Sequence, residues 1–330
     1  MKIAIVKLSA LGDILHAMVV LQAIKKSFPN MKIDWIVEEM FYEVLEHNPD
    51  INAIHTVNLK ALKKDKSKFF SELKKLRQYK SYRYDLVIDL QGLIKSAFVA
   101  RILGKSVGFD RHSIRESAAS WLYSRDYFIP YEKNVIQRNL SLVEKALKTS
   151  FSEVFLEEKQ AFLYFEQADK MKIEKYFESE AKTIVYMLGS SWESKVYPKE
   201  KFVEVIQNIE AKHLLVWGNE NELASAHYIA EYTDAQVVHK MTLNELKALV
   251  TQADLVIGAD SGPTHFAWAL NRPSITIFGP TPSQRNTCAT DINKVIDCGN
   301  VVDARNLDKE NLCIRNIEAA QIVSMAKELL

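Results

Sequence analysis

Long apolar runs, paired cysteines, a surplus of one charge and the common phosphate-loop motifs are all missing from this 330-residue chain. No stretch approaches the roughly 18 uncharged apolar residues of a membrane helix, which excludes a helical membrane-spanning protein. The opening run Met1–Lys7 is only a strand long, and it enters a loop with Gly12 and Asp13 rather than a small-residue cleavage site. It therefore does not read as a signal peptide. The three cysteines, Cys288, Cys298 and Cys313, are odd in number and lack CxxC spacing. Reduced thiols in a cytosolic protein are expected, not a disulfide framework or a zinc site. A net charge of +1 excludes a chain built to coat nucleic acid, so any basic function must be local. Neither GxGxxG nor GxxxxGK(S/T) occurs, which argues against a nicotinamide dehydrogenase or a P-loop kinase.

What is present is ordinary globular composition, 48% apolar and 26% charged, with material for two buried cores. Short β-branched runs alternate with helix-period segments. In the first half strands are expected at Ile3–Leu8, Ile33–Val37, Ala53–Val57, Leu86–Leu90, Ser106–Phe109 and Tyr127–Pro130. In the second they fall at Thr183–Leu188, His213–Trp217, Gln236–His239, Leu255–Gly258, Ser274–Phe278 and Lys294–Asp297. The clearest helices are Ile14–Ser27, Ser67–Lys80, Lys199–Ala211, Glu222–Glu231, Leu243–Gln252 and Pro263–Leu270. Such alternation implies parallel sheets covered on both faces. The charged stretch Glu166–Lys182 marks the seam, giving units at 1–170 and 171–315. A last amphipathic helix at 316–330 is expected to pack back on the amino-terminal unit. Two doubly wound α/β halves of this kind bind ligands at the carboxyl ends of their strands, across a shared cleft.

Three segments at strand ends can carry chemistry. In Lys7–Ile14, Gly12 permits a tight strand-to-helix turn and Asp13 stands at the helix start. Asp13 can be a helix N-cap or a carboxylate that meets an incoming hydroxyl, and the two are compatible. In Asp254–Ala269, a buried strand ends in a polar turn carrying Asp260, and Pro263 suits the first helical position. Backbone N–H groups around Ser261 and Gly262 then form an anion site, with His265 just inside the first turn as a further donor. The other reading of those residues is a plain capped helix. In Leu188–Pro198, Ser190 and Ser191 can bond phosphate oxygens and Lys195 can neutralise a departing diphosphate, although most such loops are merely solvated.

Taken in order, these segments resemble the bacterial lipopolysaccharide heptosyltransferases, nearly end to end. The markers are KLSALGDILHAM at the start, DWIVEE at Asp34–Glu39, DLQGLIKSA at Asp89–Ala97, SKVYPKEKF at Ser194–Phe202, ADSGPTHFAWAL at Ala259–Leu270 and RPSITIFGPT at Arg272–Thr281. DLQGLIKSA and VEE resemble the family member that acts on Kdo more than the one that acts on heptose. The resemblance implies a GT-B fold, two Rossmann-like domains, and an inverting enzyme that uses ADP-heptose and Kdo-lipid A and needs no metal. It implies that Asp13 is the general base. It assigns the diphosphate to Lys195, Ser190, Ser191, Ser261, Gly262 and His265, the ribose to Glu222, adenine to the backbone of Met241, and a place near the donor sugar to Asp260. Rival readings are the second heptosyltransferase, an epimerase, or a nucleotide-sugar-binding protein without turnover.

Between Lys60 and Arg83 ten Lys or Arg face two acids, with Phe69 and Phe70 among them. A solvated helix face explains such a run. So does an electrostatic dock for Kdo carboxylates, lipid A phosphates and an anionic membrane surface. Lys60, Lys63 and Lys64 are the candidates there, joined by Lys95 and Arg115, with Arg111 and Arg138 behind them. The expected setting is a cytoplasmic monomer, peripheral at the inner face of the inner membrane.

Overall fold

The structure is a computed structural model that describes residues 1–61, 67, 69–152, 154–177 and 180–330. The chain divides into two compact units, Met1–Phe162 and Leu163–Leu330, so the charged stretch from Glu166 belongs to the second.

The first unit holds strands β1 (Lys2–Val6), β2 (Lys32–Glu38), β3 (Ala53–Val57), β4 (Leu86–Asp89), β5 (Ser106–Phe109) and β6 (Arg125–Tyr127). Its helices are α1 (Leu11–Ser27), α2 (Tyr42–Leu45), α3 (Phe69–Lys80), α4 (Ile94–Leu103), α5 (Val135–Leu147) and α6 (Phe155–Glu158). The second unit holds β7 (Thr183–Met187), β8 (Lys212–Val216), β9 (Gln236–Val237), β10 (Leu255–Ala259), β11 (Ser274–Phe278) and β12 (Asn293–Asp297). Its helices are α7 (Gln167–Ile173), α8 (Lys199–Gln207), α9 (Glu220–Tyr232), α10 (Leu243–Gln252), α11 (Phe266–Ala269), α12 (Ser283–Asn286) and α13 (Ala319–Leu329).

The two sheets run β3-β2-β1-β4-β5-β6 and β12-β11-β10-β7-β8-β9. Every pairing is parallel, including β1 with β4 and β7 with β10. Read in chain order, both are the same doubly wound topology. Strand order reverses between β1 and β4 in one and between β7 and β10 in the other, and ligands bind at the carboxyl ends of such strands. The central strands are mainly apolar because both faces are covered: Ile3, Ala4, Ile5 and Val6 are buried, as are Leu255, Val256 and Ile257.

The terminal helix α13, placed by the sequence against the amino-terminal unit, buries Ala319, Ile322 and Ala326 in the core of the second. The reason is local. Tyr197 Oη and Lys201 Nζ both donate to the Ile317 carbonyl, at 3.0 and 2.9 Å, and fix the chain entering α13 beside α8.

At the amino-terminal edge of the first sheet, fully buried Asp34 accepts from Asn52 Nδ2 and Tyr84 Oη at 2.8 Å each. It also faces Lys2 Nζ at 2.8 Å and His55 Nε2 at 3.0 Å. Burial opposes its charge, but His55, Lys2, Asn52 and Tyr84 outweigh it and hold the carboxyl well below the usual carboxylate range. Asp34→Ala leaves these groups without an acceptor and should cost about 3–5 kcal/mol at pH 7, read by urea unfolding. A depressed folded pKa contributes stability above the unfolded value and loses it as pH falls. The gap between wild type and variant should therefore be full above pH ~4 and shrink below it.

Candidate active site

In the second unit the site is organised by one carboxylate. Asp260 follows β10 and continues its ladder, donating its N–H to Ile277 O at 3.0 Å. Its Oδ2 lies 2.8 Å from Lys195 Nζ and accepts from Thr281 Oγ1 at 2.8 Å. Its Oδ1 lies 3.1 Å from His265 Nε2. Ser190 Oγ donates to the Asp260 carbonyl at 3.4 Å. The loops after β7, β10 and β11 are thus tied to a single buried residue. Burial alone would raise the Asp260 carboxyl. The Lys195 charge and the bond to His265 overcome that and hold it well below the ordinary range.

Three expectations change here. The helix read as Pro263–Leu270 is only Phe266–Ala269. Ser261 Oγ lies 3.1 Å from Thr264 Oγ1, which donates to Ala259 O at 2.7 Å, and these bonds hold residues 261–264 as a turn. Pro263 is therefore not the first helical residue, and no helix dipole of useful length stands behind Ser261 and Gly262. His265 is the residue before α11, not inside its first turn, and it is buried with its imidazole on Asp260. Gly258 is required by this turn, because a Cβ there would sit 2.6 Å from Thr264 Oγ1.

Glu222 lies in the first turn of α9. It accepts from Gly218 N–H at 2.6 Å and from Asn219 Nδ2 at 2.5 Å. Its carboxylate covers Gly189, where an added Cβ would come 2.0 Å from Glu222 Oε1. The acid thus stands beside the loop of half-buried Ser190 and exposed Ser191. Met241 is half-buried, after edge strand β9 and directly before Thr242, whose side chain caps α10. It is not among the partners of Asp260.

The first unit gathers its candidates on the corresponding edge. The N-cap of α1 is Ala10, not Asp13; Asp13 sits three residues in and accepts the Ala10 N–H at 3.3 Å. The loop before it hangs on Gln91, whose Oε1 accepts from Leu8 and Ser9 N–H at 3.0 and 3.1 Å. Lys95 Nζ donates to Ser9 Oγ at 3.4 Å, which brings it to the Asp13 turn. Glu38 is buried at the end of β2, with its N–H on Leu8 O at 3.2 Å. Burial raises its carboxyl, opposed by the nearby charges of Lys95 and Lys60. Lys60 itself is exposed, its ammonium 5.2 Å over the Phe41 ring. Arg115 is exposed on the loop after β5. Lys63 and Lys64 lie outside the described residues.

Arg138 is not available to a ligand. It is buried and donates to the carbonyls of Ile129, Pro130 and Ser113 at 3.0, 2.5 and 2.6 Å, clamping the loop that carries Arg111 and Arg115. Thr281 and Gln91 are the residues that sequence reasoning missed. Both stand in stretches it singled out, but their roles arise from contacts with distant loops.

The model of glycosyltransferase family 9 (heptosyltransferase) matches residues 72–313. The chain is 41% identical to lipopolysaccharide heptosyltransferase 1 of Campylobacter coli, over 100% of this chain and 99% of that one. It is 30% identical to lipopolysaccharide heptosyltransferase 1 of Escherichia coli K12, over 85% and 88% of the two chains. The fold superposes on the E. coli heptosyltransferase WaaC with ADP at a TM-score of 0.82 and 24% identity, covering 100% of both chains. It superposes on the E. coli ADP-heptose heptosyltransferase II at 0.74 and 16%, covering 100% and 98%. With one family model running through most of both units and a relative alike from end to end, the chain belongs to glycosyltransferase family 9, the heptosyltransferases, and is a glycosyltransferase of the GT-B fold.

Proposed function

We propose that this enzyme moves heptose from ADP-heptose to the Kdo of Kdo-lipid A, with inversion at the anomeric carbon, in building the lipopolysaccharide inner core. The observation that carries the reading is the order of residues along the carboxyl edge of the second sheet. Met241 follows β9, Glu222 follows β8, Gly189–Ser191 follow β7 and Asp260–His265 follow β10. Strands sit about 4.8 Å apart, so three spacings cover roughly 14 Å, the reach of an extended nucleoside diphosphate. On this reading adenine lies by Met241, ribose on Glu222, and the diphosphate over Ser190, Ser191, Lys195, Ser261 and Gly262.

The chemistry breaks the bond from the anomeric carbon to the diphosphate while a Kdo hydroxyl attacks from the opposite side. Asp13 takes the hydroxyl proton, and ADP leaves with the bonding pair. Lys195 has three donors, and Asp260 occupies one of them, so the ammonium can bridge that carboxylate and a phosphate oxygen. Preorganised donors of this kind act where charge develops. We also assign the acceptor anions to Lys60, Lys63, Lys64, Lys95 and Arg115. The protein works as a cytoplasmic monomer, at the inner face of the inner membrane. Among the described residues no helix is long and apolar enough to cross a membrane.

Mass spectrometry of the chain mixed with ADP-heptose and Kdo-lipid A tests the reading. One heptosyl residue should appear on the acceptor, with ADP released. Turnover should stay within about twofold after EDTA treatment, since Lys195 takes the cationic role. Transfer only to an acceptor that already carries heptose, or conversion of the donor without acceptor, would overturn it.

A further inference from the structure

A second ammonium stands beside the Lys195 loop, brought there by the segment that follows edge strand β12. That segment, residues 299–312, leads into the 3-10 turn Cys313–Asn316. The turn packs on a second one, Glu193–Lys195, which carries Lys195. The two turns close over Gly279, directly after β11, where a Cβ would come 2.9 Å from Ser194 O and 3.0 Å from Ile314 Cβ. Arg315 Nη2 lies 3.5 Å from Glu193 Oε1 across the same junction. Segment 299–312 is thus anchored against the Lys195 loop, although most of its own residues are exposed.

Lys309 supplies the ammonium. Its Nζ stands 4.7 Å from the centroid of the Trp192 ring, and Lys195 Nζ stands 5.6 Å from the same ring. Trp192 is half-buried and directly follows Ser191. One indole therefore gathers two positive charges next to the hydroxyls of Ser190 and Ser191. Their neutralisation is unequal. Asp260 Oδ2 lies 2.8 Å from Lys195 Nζ, while among the described residues no carboxylate pairs with Lys309. The neighbouring Asp308 is committed to its own turn, accepting the Glu310 N–H at 3.0 Å. Like charges repel, so the indole holds Lys309 where an anion beside Lys195 would receive it.

Sheet order decides which part of that anion it meets. With adenine and ribose at the ends of β9 and β8, the order runs on through β7, β10 and β11 to β12. The Lys195 turn follows β7 but reaches the end of β11 at Gly279, so the junction lies on the side away from the ribose. Lys309 arrives from that side. We infer that Lys309, seated on Trp192, is a second cation for the diphosphate and contacts the phosphate that bears the sugar, not the one that bears the adenosine. The inference deepens the proposed donor reading and rests on it. A flexible four-carbon stem lets the ammonium follow that phosphate as the sugar departs, and a charge-assisted bond strengthens as negative charge develops there.

The test is calorimetry of the full chain with ADP and with AMP. Lys309→Ala should weaken ADP about tenfold, the low end for a hydrogen bond to a charged group, and AMP by less than about twofold. Its melting temperature should not change, since an exposed lysine supports no core. Lys309→Arg should keep most of the ADP affinity, because guanidinium also stacks on indole. Trp192→Leu, which leaves an apolar body without the ring, should cost ADP about threefold and again spare AMP. An ADP affinity of Lys309→Ala equal to wild type overturns the inference. So do equal losses for ADP and AMP, which would make Lys309 part of a general field. Wild type that binds no ADP sinks the donor reading and this assignment with it. The expected split between ADP and AMP, without heptose reaching Kdo-lipid A, leaves Lys309 standing and sinks the proposed transfer instead.

Discussion

Asp13→Asn is expected to lower turnover by about 10²–10⁴-fold while ADP-heptose binds within about twofold of wild type. The asparagine is chosen over alanine because Asp13 has a structural duty. Its carboxylate accepts the Ala10 N–H at 3.3 Å, closing the first turn of α1. Removing such a capping acceptor costs about 0.5–2 kcal/mol, and Asp13→Ala would mix that loss with any chemical one. An asparagine carbonyl can still accept from Ala10, but it cannot take a proton from a hydroxyl. Stability and donor affinity should therefore hold while kcat collapses. Asp13→Ala should show the same kcat with a lower Tm.

The measurements are single-turnover transfer, calorimetry with ADP-heptose and a thermal melt on the same preparations. A kcat for Asp13→Asn within threefold of wild type would remove Asp13 from the proton transfer and leave it a helix cap. The loop geometry favours the chemical role. Gln91 Oε1 holds both Leu8 and Ser9 N–H, and Lys95 reaches Ser9 Oγ, so the turn carrying Asp13 is fixed from the neighbouring strand β4. Two loops at a topological switch point are bolted together there, although a helix cap alone needs no such support.

Much of this was legible from residue pattern. All twelve strands among the described residues have a counterpart in the apolar runs, because buried parallel strands are apolar on both faces. The least well placed is β6: the run Tyr127–Pro130 points past it, and the strand is Arg125–Tyr127. An exposed edge strand beginning Arg-Asp carries no hydrophobic signal. Helix α5 has no counterpart in the sequence reading, although Asn134 caps it by accepting from Ile136 N–H at 2.9 Å. The site residues were legible as strand-end loops but not as partners. That Lys195 and His265 both turn toward Asp260 depends on β7 lying beside β10. That Glu222 covers Gly189 depends on β8 lying on the other side of β7. Short-range pattern gives strand ends; only the crossover topology says which ends meet.

Lys195→Ala should be the most damaging single change in the second unit, because it strikes stability and chemistry together. It strands a carboxylate that is 6% exposed. Breaking one partner out of a buried pair costs about 3–5 kcal/mol, and losing a donor at the departing diphosphate costs about 10²–10³-fold in kcat. The sign with pH follows from Asp260. In wild type its carboxyl sits below the ordinary range because the Lys195 charge and the His265 bond overcome burial. That contributes stability above the unfolded pKa near 4, which is lost as pH falls. Without Lys195, burial pushes the carboxyl upward, so the difference in urea-unfolding stability should be full at pH 7 and narrow toward pH 4. The double variant Lys195→Met, Asp260→Asn removes both charges and leaves His265 and Thr281 with a neutral partner. It should recover most of the lost stability and none of the turnover, which separates the architectural part of the pair from the catalytic part. Recovery of turnover along with stability would mean that Lys195 serves only to neutralise Asp260. Equal stability of Lys195→Ala and wild type at pH 7 would mean that the pair does not organise the three loops it touches.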